Sequence, residues 1–247
     1  MDAWIILVAI VVVTLVIVGA YYSYQAQQKR IAELSQLAAA RGWRFDAAKD
    51  HSHDERFGHF SPFSSGRNGY AYNTIHCALE VGDSAWPVQL GDFHYETTST
   101  TSDGKGGTTT RTDHHYLSYV ITETPYLGAP ELFIRREGFF DKVAGFFGFD
   151  DIDFESAEFS DRFIVKSKDK RFAYDVIHPR MIEFLLDGDP PTIDFQRGQC
   201  SVTRGEKCWS PAEFEETLAW ITRFYGHWPR HLEASLLTNR PDAEARG

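Results

Sequence analysis

Two short stretches place a carboxylate and an imidazole two residues apart: Asp92 with His94, and Asp113 with His115. Residues two apart on a strand share a face. Between the pairs, residues 97–112 read TTSTTSDGKGGTTTRT. Thr favours strand and Asp103-Gly104 favours a tight turn, so the segment reads as a long hairpin. A turn at Asp103-Gly104 brings Asp92, His94, Asp113 and His115 together across the strand pair. Such a set suits a metal ion or shared-proton chemistry. The plainer reading is a solvated polar sheet face. Gly91 and a change of apolar phase at residues 90–93 also point to a bulge, which would alter the register.

Other groups are weaker. His51, His53, Asp54 and His59 fall in a polar loop, where a His-x-His pair is a metal motif or simply surface. His178 stands before Pro179, with Asp175 three residues back. Cys77 adjoins His76, but neighbours on a strand point to opposite faces. Ser64, Ser65 and Ser160 lack the G-x-S-x-G context of an activated serine. The three cysteines, Cys77, Cys200 and Cys208, form no CxxC. Cys200 and Cys208 are a candidate disulfide if the domain faces outward; free thiols in a reducing compartment are the better reading. No GxGxxG or GxxxxGK[ST] motif is present. The sequence leans away from an enzyme and implies no cofactor.

The elements that must position these residues follow from pattern. Strands are expected at 70–81, 86–98, 111–122 and 130–136, then a short amphipathic helix at 139–147. An acidic stretch at 150–161 precedes a strand at 163–165. Residues 171–186 read as helix in two parts, because Pro179 cannot sit deep in a continuous one. Strands 192–195 and 199–203 flank Arg197-Gly198, a hairpin turn. Ser210-Pro211-Ala212-Glu213 is a strong helix start: a Ser cap, Pro at the first position and Glu three residues on. The fold class is α+β, an N-terminal transmembrane helix followed by a mainly antiparallel sheet domain with covering helices.

The chain opens on an apolar run. Residues 3–20 read AWIILVAIVVVTLVIVGA, and Tyr21, Tyr22 and Tyr24 follow. About 20 apolar residues span a bilayer core, and Trp4 and the tyrosines suit its two interfaces. The expected division is an anchor at 1–24 (with 3–22 in lipid), a juxtamembrane helix at 25–42, a globular domain at 43–232 and a polar tail at 233–247. A signal peptide and a buried core helix are the alternatives. Lys29, Arg30, Arg41 and Arg44 follow the anchor and only Asp2 precedes it, so charge bias puts the domain in the cytoplasm. The net charge of −10 and the lack of a dense basic patch argue against a nucleic-acid partner.

Two further stretches carry a resemblance: Ala40-Arg41-Gly42-Trp43-Arg44-Phe45, and the block Phe159-Ser160-Asp161-Arg162-Phe163-Ile164-Val165 with Asp169 and Ala173, preceded by Asp151-Ile152-Asp153-Phe154-Glu155. Over residues 38–228 the chain resembles uncharacterised bacterial single-pass membrane proteins with an ARGW.F-like entry, an FS..F.V...D...A block and a closing helix. The resemblance implies one anchored domain and no assigned reaction. Three functions compete. A membrane-tethered interaction or assembly module with a protein partner leads. A small-molecule or lipid-binding sensor is the second, with Phe57, Phe60 and Phe63 as a possible aromatic cavity wall. A metal-dependent hydrolase using Asp92, His94, Asp113 and His115 is the third.

Overall fold

The computed structural model describes residues 3–102, 107–138 and 151–238. The expected Asp103-Gly104 turn, the helix at 139–147 and the end of the tail from 239 onward lie outside them.

The first element is a single unbroken helix, α1 (Ala3–Arg41), of 39 residues. At about 1.5 Å per residue it is roughly 58 Å long. The expected boundary between anchor and juxtamembrane helix is therefore no break. Its apolar part has a mean hydropathy of 2.2 and none of it is buried within the protein. That rules out the buried core helix, and one N-terminal helix anchors the chain in the membrane. The other end of α1 is part of the domain: Leu34, Leu37 and Ala38 are buried in its main core. Gly42, at φ +68°, ends the helix. The Trp43 N–H then reaches back to the Ala38 carbonyl at 2.8 Å, which turns the chain into the first strand.

Among the described residues the domain is built on one eight-stranded antiparallel sheet in the order β1-β2-β3-β4-β8-β7-β5-β6. The strands are β1 (Arg44–Asp46), β2 (Arg67–Val81), β3 (Ser84–Ser102), β4 (Thr108–Glu123), β5 (Leu132–Arg136), β6 (Phe163–Ser167), β7 (Thr192–Gln196) and β8 (Gln199–Thr203). The later strands β5 to β8 join this same sheet. The Arg197-Gly198 turn joins β7 to β8 with both φ angles positive, 54° and 73°, as a two-residue hairpin requires.

The helices are α2 (His53–Phe57), α3 (Ala157–Arg162), α4 (Lys170–Val176), α5 (Pro179–Leu186), α6 (Pro211–Gly226) and α7 (Arg230–Thr238). A full capping box starts α6: Ser210 Oγ accepts from the Glu213 N–H, and Glu213 accepts from the Ser210 N–H at 2.7 Å. The expected polar tail at 233–247 begins instead as α7, with Leu232 and Leu236 buried. The block at residues 159–165 with Asp169 and Ala173 holds the local backbone together. Asp169 caps α4 through the Arg171 and Phe172 N–H groups, and Ser160 Oγ accepts from the Phe154 N–H at 3.0 Å.

Two cores lie on the two sheet faces. The larger joins Leu34 of α1 and Phe214, Ile221 and Tyr225 of α6 to Val88, Leu90 and Val120. The smaller is aromatic: Phe57, Phe60, Phe63, Phe93, Tyr95 and Tyr119 with Ala71, Leu117 and Ile121. Residues 90–95 are therefore buried on both faces, which is why no strand-like alternation shows there. The irregularity expected near Gly91 lies on its partner, where the β2–β3 register shifts between Tyr72 and Ile75. Asn73 sits there at φ 52°.

Candidate functional site

The β3–β4 register decides which residues meet. A turn at Asp103-Gly104 would pair Asp92 with His115 and His94 with Asp113. The observed pairs are Asp92↔Ser118, His94↔Tyr116, Tyr95↔His115 and Thr97↔Asp113. The shift is three residues, and an odd shift exchanges faces. Asp92 and His94 thus face α1, while Asp113 and His115 face the opposite side. The four do not form one site.

On the α1 side, Asp92 is a clamp. Arg30 donates to both its oxygens, Nη2 to Oδ1 at 2.8 Å and Nε to Oδ2 at 3.0 Å. Ser118 Oγ donates to Oδ1 at 2.6 Å and Asn73 Nδ2 to Oδ2 at 3.2 Å. Arg30 also donates to the Trp209 carbonyl, and the Trp209 N–H donates to Ser118 Oγ at 2.8 Å. The Asp92 side chain is 1% exposed and that of Arg30 18%. One residue of the membrane helix is thereby tied to three strands and to the loop before α6. Arg30, read from sequence as a topology charge, is a structural cation.

Further along the same face, His94 Nε2 lies 3.1 Å from His114 Nδ1, and His114 Nδ1 lies 3.6 Å from Glu96 Oε1. Among the described residues, His94, Glu96 and His114 are the group whose ligand atoms all lie within 4.8 Å of one another. His94 is buried. Burial and the neighbouring His114 push its pKa down, and Glu96 works the other way. Glu96 and His114 escaped the sequence reading because only the true register pairs them.

On the opposite face, Tyr95, Thr97, His115 and Glu206 form one network. Tyr95 Oη donates to Glu206 Oε1 at 2.9 Å, and His115 Nδ1 meets the same oxygen at 2.8 Å. His115 Nε2 lies 2.7 Å from Thr97 Oγ1. The Tyr95 and His115 rings stack at 4.6 Å. These four line a cavity of about 340 Å³ with Ser61, Pro62, Ser65, Leu117 and Thr203. A second cavity of about 20 Å³, room for one water, shares Ser61, Pro62 and Thr203 and reaches Asp194. Burial pushes the Asp194 carboxyl up to about 7. Glu206 and Asp194 carry no sequence signal: each is a lone acid, Asp194 on β7 and Glu206 just after β8. Asp113 takes no part and pairs with Arg111 at 2.6 Å.

The remaining candidates disperse. His53 is buried among Phe57, Phe63, Phe93 and Tyr119, and burial pushes its pKa down to about 3. His51 packs at a tilt against Tyr70 and His59 against Phe60, while Asp54 is exposed. Phe57, Phe60 and Phe63 are buried in the smaller core, and Phe63 also lines a largely polar cavity of about 500 Å³. His178 Nε2 donates to the His227 carbonyl at 2.8 Å, a tie between α5 and the end of α6. Cys77, Cys200 and Cys208 are free. Burial raises their thiol pKa values to about 11, 12 and 11, which makes them poor nucleophiles.

No family model and no curated protein matches the chain. Among solved structures it is similar to the crystal structure of the mycobacterial trehalose monomycolate transport factor A, TtfA, with a TM-score of 0.52 and 9% identity over 81% of this chain and 96% of that one. At that identity the likeness is one of fold.

Proposed function

We propose that this protein is a membrane-anchored, non-catalytic binding module whose cavity at Tyr95, Thr97, His115 and Glu206 takes a small hydroxyl-rich group, such as a sugar headgroup of a lipid. The observation that carries this reading is the cavity itself. At about 340 Å³ it lies at the small end of ligand-sized pockets. Its wall combines the Glu206 carboxylate, the hydroxyls of Ser61, Ser65, Thr97 and Thr203, and the stacked Tyr95–His115 ring pair. A carboxylate accepts from neighbouring hydroxyls, and a flat aromatic face suits the apolar side of a sugar ring. The fold resemblance to a protein titled a trehalose monomycolate transport factor points the same way. We place the domain in the cytoplasm from Lys29, Arg41 and Arg44 on the domain side of the anchor, and the resemblance to the single-pass group rests on the entry at residues 40–45, the block at residues 159–173 and the closing helix.

The test is calorimetric titration of the full chain, held in a zwitterionic detergent, with amphiphiles of one tail carrying glucosyl, trehalosyl or phosphocholine heads. Saturable binding of a sugar-headed compound, weakened about tenfold by Glu206→Gln, is expected, since a hydrogen bond to a charged group contributes about 1.5–3 kcal/mol. Equal binding by the variant, or no saturable binding, overturns the reading.

A role in assembly keeps one specific support. Beyond Glu96, β3 pairs only with β4, and their register continues to Ser102↔Thr108. This arm is a sheet edge to which a partner strand can add. Photo-crosslinking from Thr100 in membranes tests it: one discrete adduct supports a partner, and no adduct removes the argument.

A further inference from the structure

We propose that His94, Glu96 and His114 form a binding site for a divalent transition metal of the zinc class, on the sheet face that also holds the Arg30–Asp92 clamp. The site does not depend on the sugar-binding reading, because it lies on the other face of the sheet.

The backbone supplies the geometry. His94 and Glu96 are two residues apart on β3, and Glu96 stands directly opposite His114 on β4. Three ligands therefore come from two paired strands, where little conformational freedom remains to be lost on binding. Zinc–nitrogen bonds of about 2.0–2.1 Å at tetrahedral angles place neighbouring ligand atoms about 3.3 Å apart. The nitrogen–nitrogen separation here is 3.1 Å, and the nearer nitrogen–oxygen separation is 3.6 Å. All three ligand atoms lie within 4.8 Å of one another, so a cation is held once the side chains close on it.

The ligand chemistry selects the metal. Two imidazoles and one carboxylate suit zinc and its neighbours, whereas calcium and magnesium require mostly oxygen. His114 is half exposed, so a fourth position opens to water. The surrounding residues hold the ligands in place. Asn68 Nδ2 donates to Glu96 Oε2 at 2.8 Å, which leaves Oε1 towards His114. The Tyr70 and Tyr116 rings flank the buried His94 at 4.6 and 4.8 Å. Such outer contacts fix ligand orientation. Arg67 Nε, 4.0 Å from Glu96 Oε2, opposes the cation and sets its affinity below that of a site without a positive neighbour.

A bound ion would join β3 to β4 and, through Asn68, to β2, two residues beyond the clamp on the anchor helix. It would stabilise the folded state by mass action.

The experiment uses the untagged full chain in detergent, stripped with a chelator and titrated with Zn²⁺ against a chromogenic indicator. Binding of one equivalent is expected, at least tenfold weaker in His114→Ala and unchanged in His115→Ala, whose ring lies on the other face. His114 is half exposed, so its loss leaves the fold intact. Zn²⁺ should raise the unfolding temperature of the wild type and of His115→Ala, but not of His114→Ala. Co²⁺ should give the intense visible bands of a four-coordinate ion. Equal Zn²⁺ affinity in wild type and His114→Ala, or no stoichiometric binding, overturns the proposal and leaves a histidine–histidine hydrogen bond.

Discussion

Asp92 accepts from Arg30, Asn73 and Ser118 at once. Its removal leaves a largely buried guanidinium unpaired. Asp92→Ala should therefore cost about 3–5 kcal/mol, whereas replacing both partners by apolar residues, as in Arg30→Met with Asp92→Leu, should recover much of it. Denaturant midpoints of the full chain in detergent measure both. Two buried titratable groups act in opposite senses on pH dependence. His53 has its folded pKa lowered to about 3 from an unfolded value of about 6.5. Its contribution is complete above pH 6.5 and is lost as pH falls towards 3. Asp194 has its folded pKa raised to about 7 from about 3.9. Its contribution is complete below pH 3.9 and is lost as pH rises towards 7. Relative to wild type, His53→Gln should thus lose less stability on acidification from pH 6.5 to 4, and Asp194→Asn should lose more. Parallel stability–pH curves for all three proteins would contradict the assignment. Asp92 and His94 were legible as chemistry-bearing residues. The Asp92 partner Arg30, 62 positions away in sequence, was not, nor was Glu206, which is 91 positions from its partner His115 on the other face.

At the scale of elements, the hairpin was legible and its register was not. Residues 97–102 and 108–112 of the arm are hydroxyl-rich on both faces, so no apolar alternation selects one pairing over another. The buried part, residues 90–95 and 117–122, has cores on both sides and carries no alternation either. The bulge at Asn73 belongs to the β2–β3 pair, where it lies close to Gly91. A Cβ on Gly91 would stand 3.0 Å from the Asn73 oxygen and 3.1 Å from both the Tyr72 oxygen and Thr74 Cα. Gly91→Ala should destabilise the domain by about 1–3 kcal/mol, measurable by thermal unfolding. An unchanged midpoint would mean the strands are not so closely apposed. Caps were the most legible local feature, since Ser210-Pro211 with Glu213 is a self-contained signal that folds as read.

At the scale of the molecule, the apolar N-terminus and the antiparallel α+β class follow from sequence because both rest on long, one-sided patterns. The division of the sheet into a helix-covered face and an aromatic face does not, since it depends on where α1 and α2 land. The continuous α1, clamped through Arg30 and packed through Leu34, Leu37 and Ala38, makes anchor and domain one unit. Domain orientation is the companion claim. A cytoplasm-active reporter fused after Gly247 should be active, and activity only from an export-dependent reporter would reverse it.

The most direct test of the account is native mass spectrometry of the full chain released from the membrane in which it was made. The account predicts a stoichiometric amphiphile with a hydroxyl-rich head on the wild type, depleted in Glu206→Gln. An empty wild-type chain, or the same bound mass on both proteins, would contradict it.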